Sequence, residues 1–196
     1  MKHLVIAAHS NPASFTMSVA EEYAKELECS GHEVHICDLY RLDFNPVLTA
    51  VELTGPAAGG SPLPDVVRQQ SQIRAANVLA FVYPLWWASM PAIMKGYIDR
   101  VFSYGFAYDF EGNALRGLLS GRKAVAITIS AAPFQALRNT GDWDAVQTLQ
   151  DTHIFRASGL DLLEHLHFGE VVPGMSEAAG EDHLSLVRAL VHKHFS

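Results

Sequence analysis

The chain has 196 residues, 49% of them hydrophobic, and sets 14 lysines and arginines against 21 aspartates and glutamates for a net charge of −7. That length predicts a single domain spanning residues 1–196 with enough apolar material for a full core, and an acidic chain without a basic run excludes nucleic acid as the main partner. No apolar run approaches the roughly 18 residues of a membrane span, and the two cysteines, Cys29 and Cys37, lack a CxxC spacing and suit free thiols in a reducing cytoplasm.

Apolar runs alternate with helical patterns along the chain. The N-terminal MKHLVIAAHSNP reads as a buried strand over His3–Ala8, because polar residues follow it and no small-residue cleavage site does. Ser14 is a candidate N-cap for a helix over Phe15–Glu28 that stops at Gly31. Glu33–Leu39 alternates as a second strand. Asn45–Pro64, rich in proline and glycine, is too long for a plain connector, and Asp65–Ala75 is polar and helical. Asn77–Tyr83 is a third strand, and Pro91 opens a helix over Ala92–Phe102. Lys123–Ile129 is a fourth strand, Trp143–Ser158 a helix closed by Gly159, Leu160–Phe168 a fifth strand and Ser176–Phe195 the last helix.

Strands alternating with helices predict parallel βαβ units. The first, third and fourth strands are unbroken apolar runs, as required when helices cover both faces. Five such strands predict a flavodoxin-like, doubly wound sheet of order 2-1-3-4-5. Ligands of such sheets bind beyond the C-terminal strand ends, at the switch point between strands one and three.

Three loops meet at that edge. HSNPASFT (His9–Thr16) lacks the dinucleotide fingerprint and the P-loop, but its small polar groups lead into a helix N-terminus that favours a phosphate; an ordinary capped turn is the alternative. In YPLWWASMP, Trp86 and Trp87 sit between Pro84 and Pro91, outside any periodic core face. They suit a wall for a flat ring, or a core residue beside a surface or dimer contact. The third loop opens with Ser130, Ala131 and Ala132, small enough for a ligand to approach the backbone.

AHSNPASF, DLYRLDFNPVLT and the long YPLWWASMPAIMKGYIDRVFSYGFAY together resemble the NAD(P)H:quinone oxidoreductase family of flavodoxin-like flavoproteins, over most of the chain. The resemblance implies a homodimer with a shared active site that binds FAD, or alternatively FMN, and passes hydride from NAD(P)H to a quinone by a ping-pong route. It implies flavin contacts from His9, Ser14, Phe15, Thr16 and Met17, from Pro84, Leu85, Trp86, Trp87 and Ala88, and from Ser130, Ala131 and Ala132. Phe106 and Tyr108 would line the acceptor pocket across the dimer interface.

Several positions depart from the family's pattern. Trp86 replaces the glutamine of mammalian members, and Ala88 replaces an aromatic that stacks on the acceptor, leaving room there. The tyrosine and histidine that neutralise the reduced flavin have no counterpart after the fourth strand, where only Asn139 and Thr140 could bond the ring. Ten histidines, His165 and His167 sharing one strand face among them, form no metal-binding spacing, and no GxSxG elbow is present. Two other readings of the same fold are an accessory flavoprotein of a membrane transport system and a flavodoxin-like electron carrier.

Overall fold

A computed structural model describes residues 1–54 and 62–196. Five parallel strands form the central sheet: β1 (Lys2–Ala7), β2 (Glu33–Asp38), β3 (Val78–Pro84), β6 (Lys123–Ile129) and β7 (Asp161–Phe168), in the order β2-β1-β3-β6-β7. This is the expected 2-1-3-4-5 arrangement once a separate hairpin, β4 (Tyr108–Glu111) with β5 (Ala114–Gly117), is left out of the count. Register is continuous at the centre, where Ala7 faces Val82 and Pro84 faces Ile129.

Every residue of β3 is buried, because the sheet separates two cores. Val5, Ala7, Val82 and Ile127 point to one face, covered by α1 (Phe15–Cys29) and α7 (Glu177–Phe195). Ile6, Phe81, Tyr83 and Ala126 point to the other, beneath α3 (Pro64–Ala75), α4 (Ala92–Val101), α5 (Phe134–Thr140) and α6 (Asp142–Val146). Ser14 caps α1 as expected, its Oγ accepting from the Met17 N–H at 3.3 Å.

Three expectations change. Part of Asn45–Pro64 is ordered as a one-turn helix, α2 (Ala50–Leu53), capped reciprocally by Thr49 and Glu52, while residues 55–61 of that segment lie outside the described residues. Trp143–Ser158 is not one α-helix: α6 passes into a π-helical segment, Gln147–Arg156. The wider i→i+5 turn brings Val146, the adjacent pair Gln150 and Asp151, and then Phe155 onto the buried side. The β4–β5 hairpin, missed in the sequence, turns through Gly112 at φ 62° and Asn113.

Candidate functional site

The C-terminal ends of β1, β3 and β6 open into a cleft of roughly 210 Å³, at the edge where open α/β sheets bind their ligands. Its walls are His9, Ser14, Phe15 and Thr16 from the first loop, Pro84, Leu85 and Trp86 from the second, Ile129, Ser130 and Ala131 from the third, and Val171 beyond β7. Three loops far apart in sequence therefore converge at the switch point.

The first wall presents free backbone donors at a helix N-terminus. At the start of α1, Ser14 takes the Met17 N–H, while the N–H groups of Phe15 and Thr16 have no intrahelical acceptor. No acidic side chain occupies that first turn, so nothing opposes the positive end of the helix dipole. The Asn11 N–H donates to His9 Nδ1 at 3.1 Å, and the His9 ring stands edge-on to Trp86 with centroids 5.8 Å apart. Arg41, unremarked in the sequence, donates to the carbonyls of His9 and Ser10 at 3.0 and 2.9 Å and clamps the loop.

The second wall is a strained turn. The backbones of Trp86 and Ser89 exchange hydrogen bonds of 3.0 and 3.1 Å, and both residues between them are left-handed, Trp87 at φ 54° and Ala88 at φ 53°. Such two-residue turns favour Asn-Gly, and each left-handed L-residue costs about 1–2 kcal/mol. Trp86 lines the cleft, whereas Trp87 is fully exposed at the turn's tip. Ala88→Gly removes one strained Cβ and should stabilise the fold by about 0.5–1 kcal/mol after the extra entropy of the unfolded glycine chain is subtracted. A urea midpoint that fell instead would show that this turn is not strained in solution.

Some expected contacts lie elsewhere. Met17 is buried against the sheet, since the third residue of α1 points inward. Trp87 and Ala88 project from the tip, and Ala132 stands beyond the lining residues, its carbonyl accepting from Ser130 Oγ at 2.8 Å. Phe106 is buried, with the Arg74 guanidinium 4.8 Å above its ring. Tyr108 lines a second, apolar hollow with Ile98, Phe102 and Ala157. Asn139 bonds Gln135, Thr140 bonds its own helix and Asp142, and neither lines the cleft. Ile129 and Val171 were missed; the signal available was position, Ile129 at the C-terminal end of β6 and Val171 shortly past that of β7.

The donor set and the flat wall fit a phosphate-bearing group with a planar ring. Residues 1–191 match the family model described as flavodoxin-like fold. An uncharacterized NAD(P)H oxidoreductase of Haemophilus influenzae is 33% identical over 87% of this chain and 85% of its own. NAD(P)H dehydrogenase [quinone] 1 of Cavia porcellus is 34% identical over 62% of this chain, and the match spans half of that enzyme's length. The solved NAD(P)H:quinone oxidoreductase of Methanothermobacter marburgensis superposes with a TM-score of 0.87 at 30% identity, covering 100% of this chain and 98% of the other. With the sheet order, the cleft and these likenesses in agreement, the chain belongs to the flavodoxin-like family of NAD(P)H:quinone oxidoreductases.

Proposed function

We propose that the chain, as one flavin-binding unit of residues 1–196, is an NAD(P)H dehydrogenase that reduces a quinone or similar two-electron acceptor by a ping-pong mechanism. The observation that carries this reading is the convergence of the free α1 N-terminus, the Trp86 wall and the small Ser130–Ala131 turn on one cleft. The names borne by the quinone dehydrogenase relatives support the substrate class.

The first turn of α1 would hold the phosphates, Trp86 would flank the ring, and the backbone at Ser130 and Ala131 would meet its polar edge. The bound flavin, FAD before FMN, supplies hydride exchange between NAD(P)H and the acceptor. Among the described residues no helix is long and apolar enough to cross a membrane, and two free thiols accord with a cytoplasmic location.

The reading includes a homodimer. Trp87, Tyr104, Phe110 and Leu115 are all exposed, and a two-fold interface would cover such apolar surface. Phe106 is committed to packing in its own chain, so Tyr108 is the residue left to reach a partner's cleft.

Sedimentation of the flavin-titrated protein, followed at the flavin's visible absorbance, tests cofactor and assembly together. One flavin per chain at twice the chain mass is expected, with bleaching on NAD(P)H and recolouring on quinone. Trp86→Ala should weaken flavin binding roughly 2- to 10-fold, the worth of one stacking contact. A protein that binds neither FAD nor FMN would sink the proposal.

A further inference from the structure

A buried line of side chains runs from the interior to the cleft. Asp151 Oδ1 of the π-helical segment lies 2.7 Å from His165 Nδ1 on β7. His165 Nε2 lies 3.0 Å from Thr128 Oγ1 on β6, which lies 2.9 Å from His167 Nδ1. His167 Nε2 lies 3.0 Å from Ser130 Oγ, and Ser130 lines the cleft. The side chains of Asp151 and His165 are 5% and 2% exposed, so the inner end is sealed from solvent. Trp143 packs against both imidazoles and Phe134 against that of His167.

Donor accounting allows two arrangements of this line. In one, the Ser130 hydroxyl donates to the Ala132 carbonyl, and each group inward donates one step toward the cleft: His167 Nε2–H to Ser130, Thr128 O–H to His167 Nδ1, and His165 Nε2–H to Thr128. The 2.7 Å contact between His165 Nδ1 and Asp151 then needs a proton of its own, shared by that pair. In the other arrangement every bond is reversed. His165 Nδ1–H faces the Asp151 carboxylate, Thr128 donates to His165 Nε2, His167 Nδ1–H donates to Thr128, and Ser130 donates to His167 Nε2. The two arrangements differ by one proton, and every atom that must pass one on is already at hydrogen-bond distance.

The geometry points to a proton relay, Asp151–His165–Thr128–His167–Ser130, that stores one proton in the sealed Asp151–His165 pair and delivers it to an oxygen of the acceptor in the cleft. The proposal rests on the reading of that cleft as the site of quinone reduction, where an acceptor taking one hydride also needs one proton. The electron pair arrives with the hydride that NAD(P)H supplies. The Ser130 hydroxyl turns from the Ala132 carbonyl to the acceptor, and its O–H bond breaks as the acceptor's O–H bond forms. Ser130 regains a proton from His167 Nε2, His167 Nδ1 from Thr128, and Thr128 from His165 Nε2, leaving a neutral His165 beside a carboxylate. Solvent water entering the cleft recharges the line in reverse.

Two features suit His167 to passing a proton by changing tautomer rather than by holding a charge. Burial, with the neighbouring His165, pushes its imidazole down to about 4. The groups around the line add no cation: Tyr83 of β3 faces Asp151 and donates to Gln150 at 2.5 Å, and Phe134 and Trp143 close the helix side. The π-helical turn is what presents Asp151 beside Gln150 on the inner face, and such turns recur at functional sites.

The test uses nitrogen-15 NMR of histidine-labelled full chain without flavin, from about pH 5 to 9, where histidine switches operate. The shifts of His167 Nδ1 and Nε2 should exchange, without formation of an imidazolium, and the shifts of His165 should change together with them. In Asp151→Asn, the Nδ1–H tautomer of His167 should persist throughout. In Thr128→Val, the His167 tautomer should no longer follow changes at His165. An invariant His167 tautomer in the wild type, or coupling that survives Thr128→Val, overturns the relay. In the flavin-loaded enzyme, Thr128→Val should slow reoxidation by quinone about 10-fold or more, a modest share of general acid catalysis, while reduction by NAD(P)H stays unchanged; equal slowing of both half-reactions also overturns it. Failure to bind flavin would instead remove the functional reading, and the tautomer exchange would still decide the relay.

Discussion

Replacing Arg100 by methionine should cost about 3–5 kcal/mol of folding stability, the range for breaking a buried ion pair by removing one partner. The Arg100 side chain, on α4, is 1% exposed. Its Nε donates to Glu52 at 2.9 Å, its two terminal nitrogens donate to Asp65 at 2.7 and 3.1 Å, and it also donates to the Asn45 carbonyl at 2.6 Å. The guanidinium lies 4.9 Å from the centre of the Phe44 ring. One cation thus ties α4 to the segment after β2, to α2 and to the start of α3. Its hydrogen bonds hold the Asp65 carboxyl below the usual carboxylate range.

Without the arginine, Glu52 is left as a carboxylate whose side chain is 5% exposed, supported among the described residues by Thr49. Asp65 is a third exposed and can turn to water. The penalty should therefore come mainly from Glu52, and Glu52→Gln added to Arg100→Met should restore part of the loss. Urea unfolding of the single and double variants measures this. A loss below about 1 kcal/mol for Arg100→Met, the scale of a surface ion pair, would show that the pair is not buried in solution.

The sheet was legible because its signals are local and repeated. HLVIAA, NVLAFVY and KAVAITI are apolar on both faces, and only a doubly covered parallel sheet can bury them. The cleft followed from the topology, since knowing the strand order selects the loops that meet. Tertiary partnership was not legible. Arg100 follows Asp99 in an ordinary helical pattern, and nothing nearby announces carboxylates 48 and 35 residues away. The hairpin at EGNA did carry a signal, Gly-Asn between two short runs, but four-residue strands outside the main sheet leave little periodicity to read. His165 and His167 drew notice as a pair on one face. The Asp151 that completes their line depends on a π-helical turn, which a 3.6-residue period does not reveal. Phe106 and Met17 show the converse: a motif placed them near the site, and the fold buries both among residues other than those that line the cleft.

Lowering the pH from 7.5 to 5 should remove roughly 2–4 kcal/mol of folding stability, through histidines buried in their neutral form. His3, on β1, is pushed down to about 3, chiefly by burial and then by the neighbouring His32 and the N-terminal amine, and His167 is pushed down to about 4. Bonding explains why His3 stays neutral. His32 Nε2 lies 3.0 Å from the Phe195 carbonyl, which only accepts, so that nitrogen donates. His32 Nδ1 is then free to accept from His3 Nε2 at 3.0 Å, and His3 Nδ1 can accept from the Tyr23 hydroxyl at 3.3 Å. A proton added to His3 Nδ1 would set an N–H against the Tyr23 hydroxyl that donates to it, in the core that joins β1, α1 and the end of α7.

The sign follows from proton counting. An unfolded histidine titrates near 6.5, so between that value and the depressed native values the unfolded chain binds more protons, and stability is lost as the pH is lowered. From pH 6.5 to 5 each histidine contributes at most about 2 kcal/mol, at 1.36 kcal/mol per unit. The paired carboxylates Glu22, Asp65 and Glu164, held low by Arg188, Arg100 and the Lys193–His194 pair, lose their contribution only in stronger acid, below the free carboxylate range. Urea midpoints at the two pH values should therefore differ clearly, and His3→Gln, which can keep a hydrogen bond but cannot titrate, should remove about half of the difference. A pH-independent midpoint across this window would mean that neither imidazole is sealed as the structure places it.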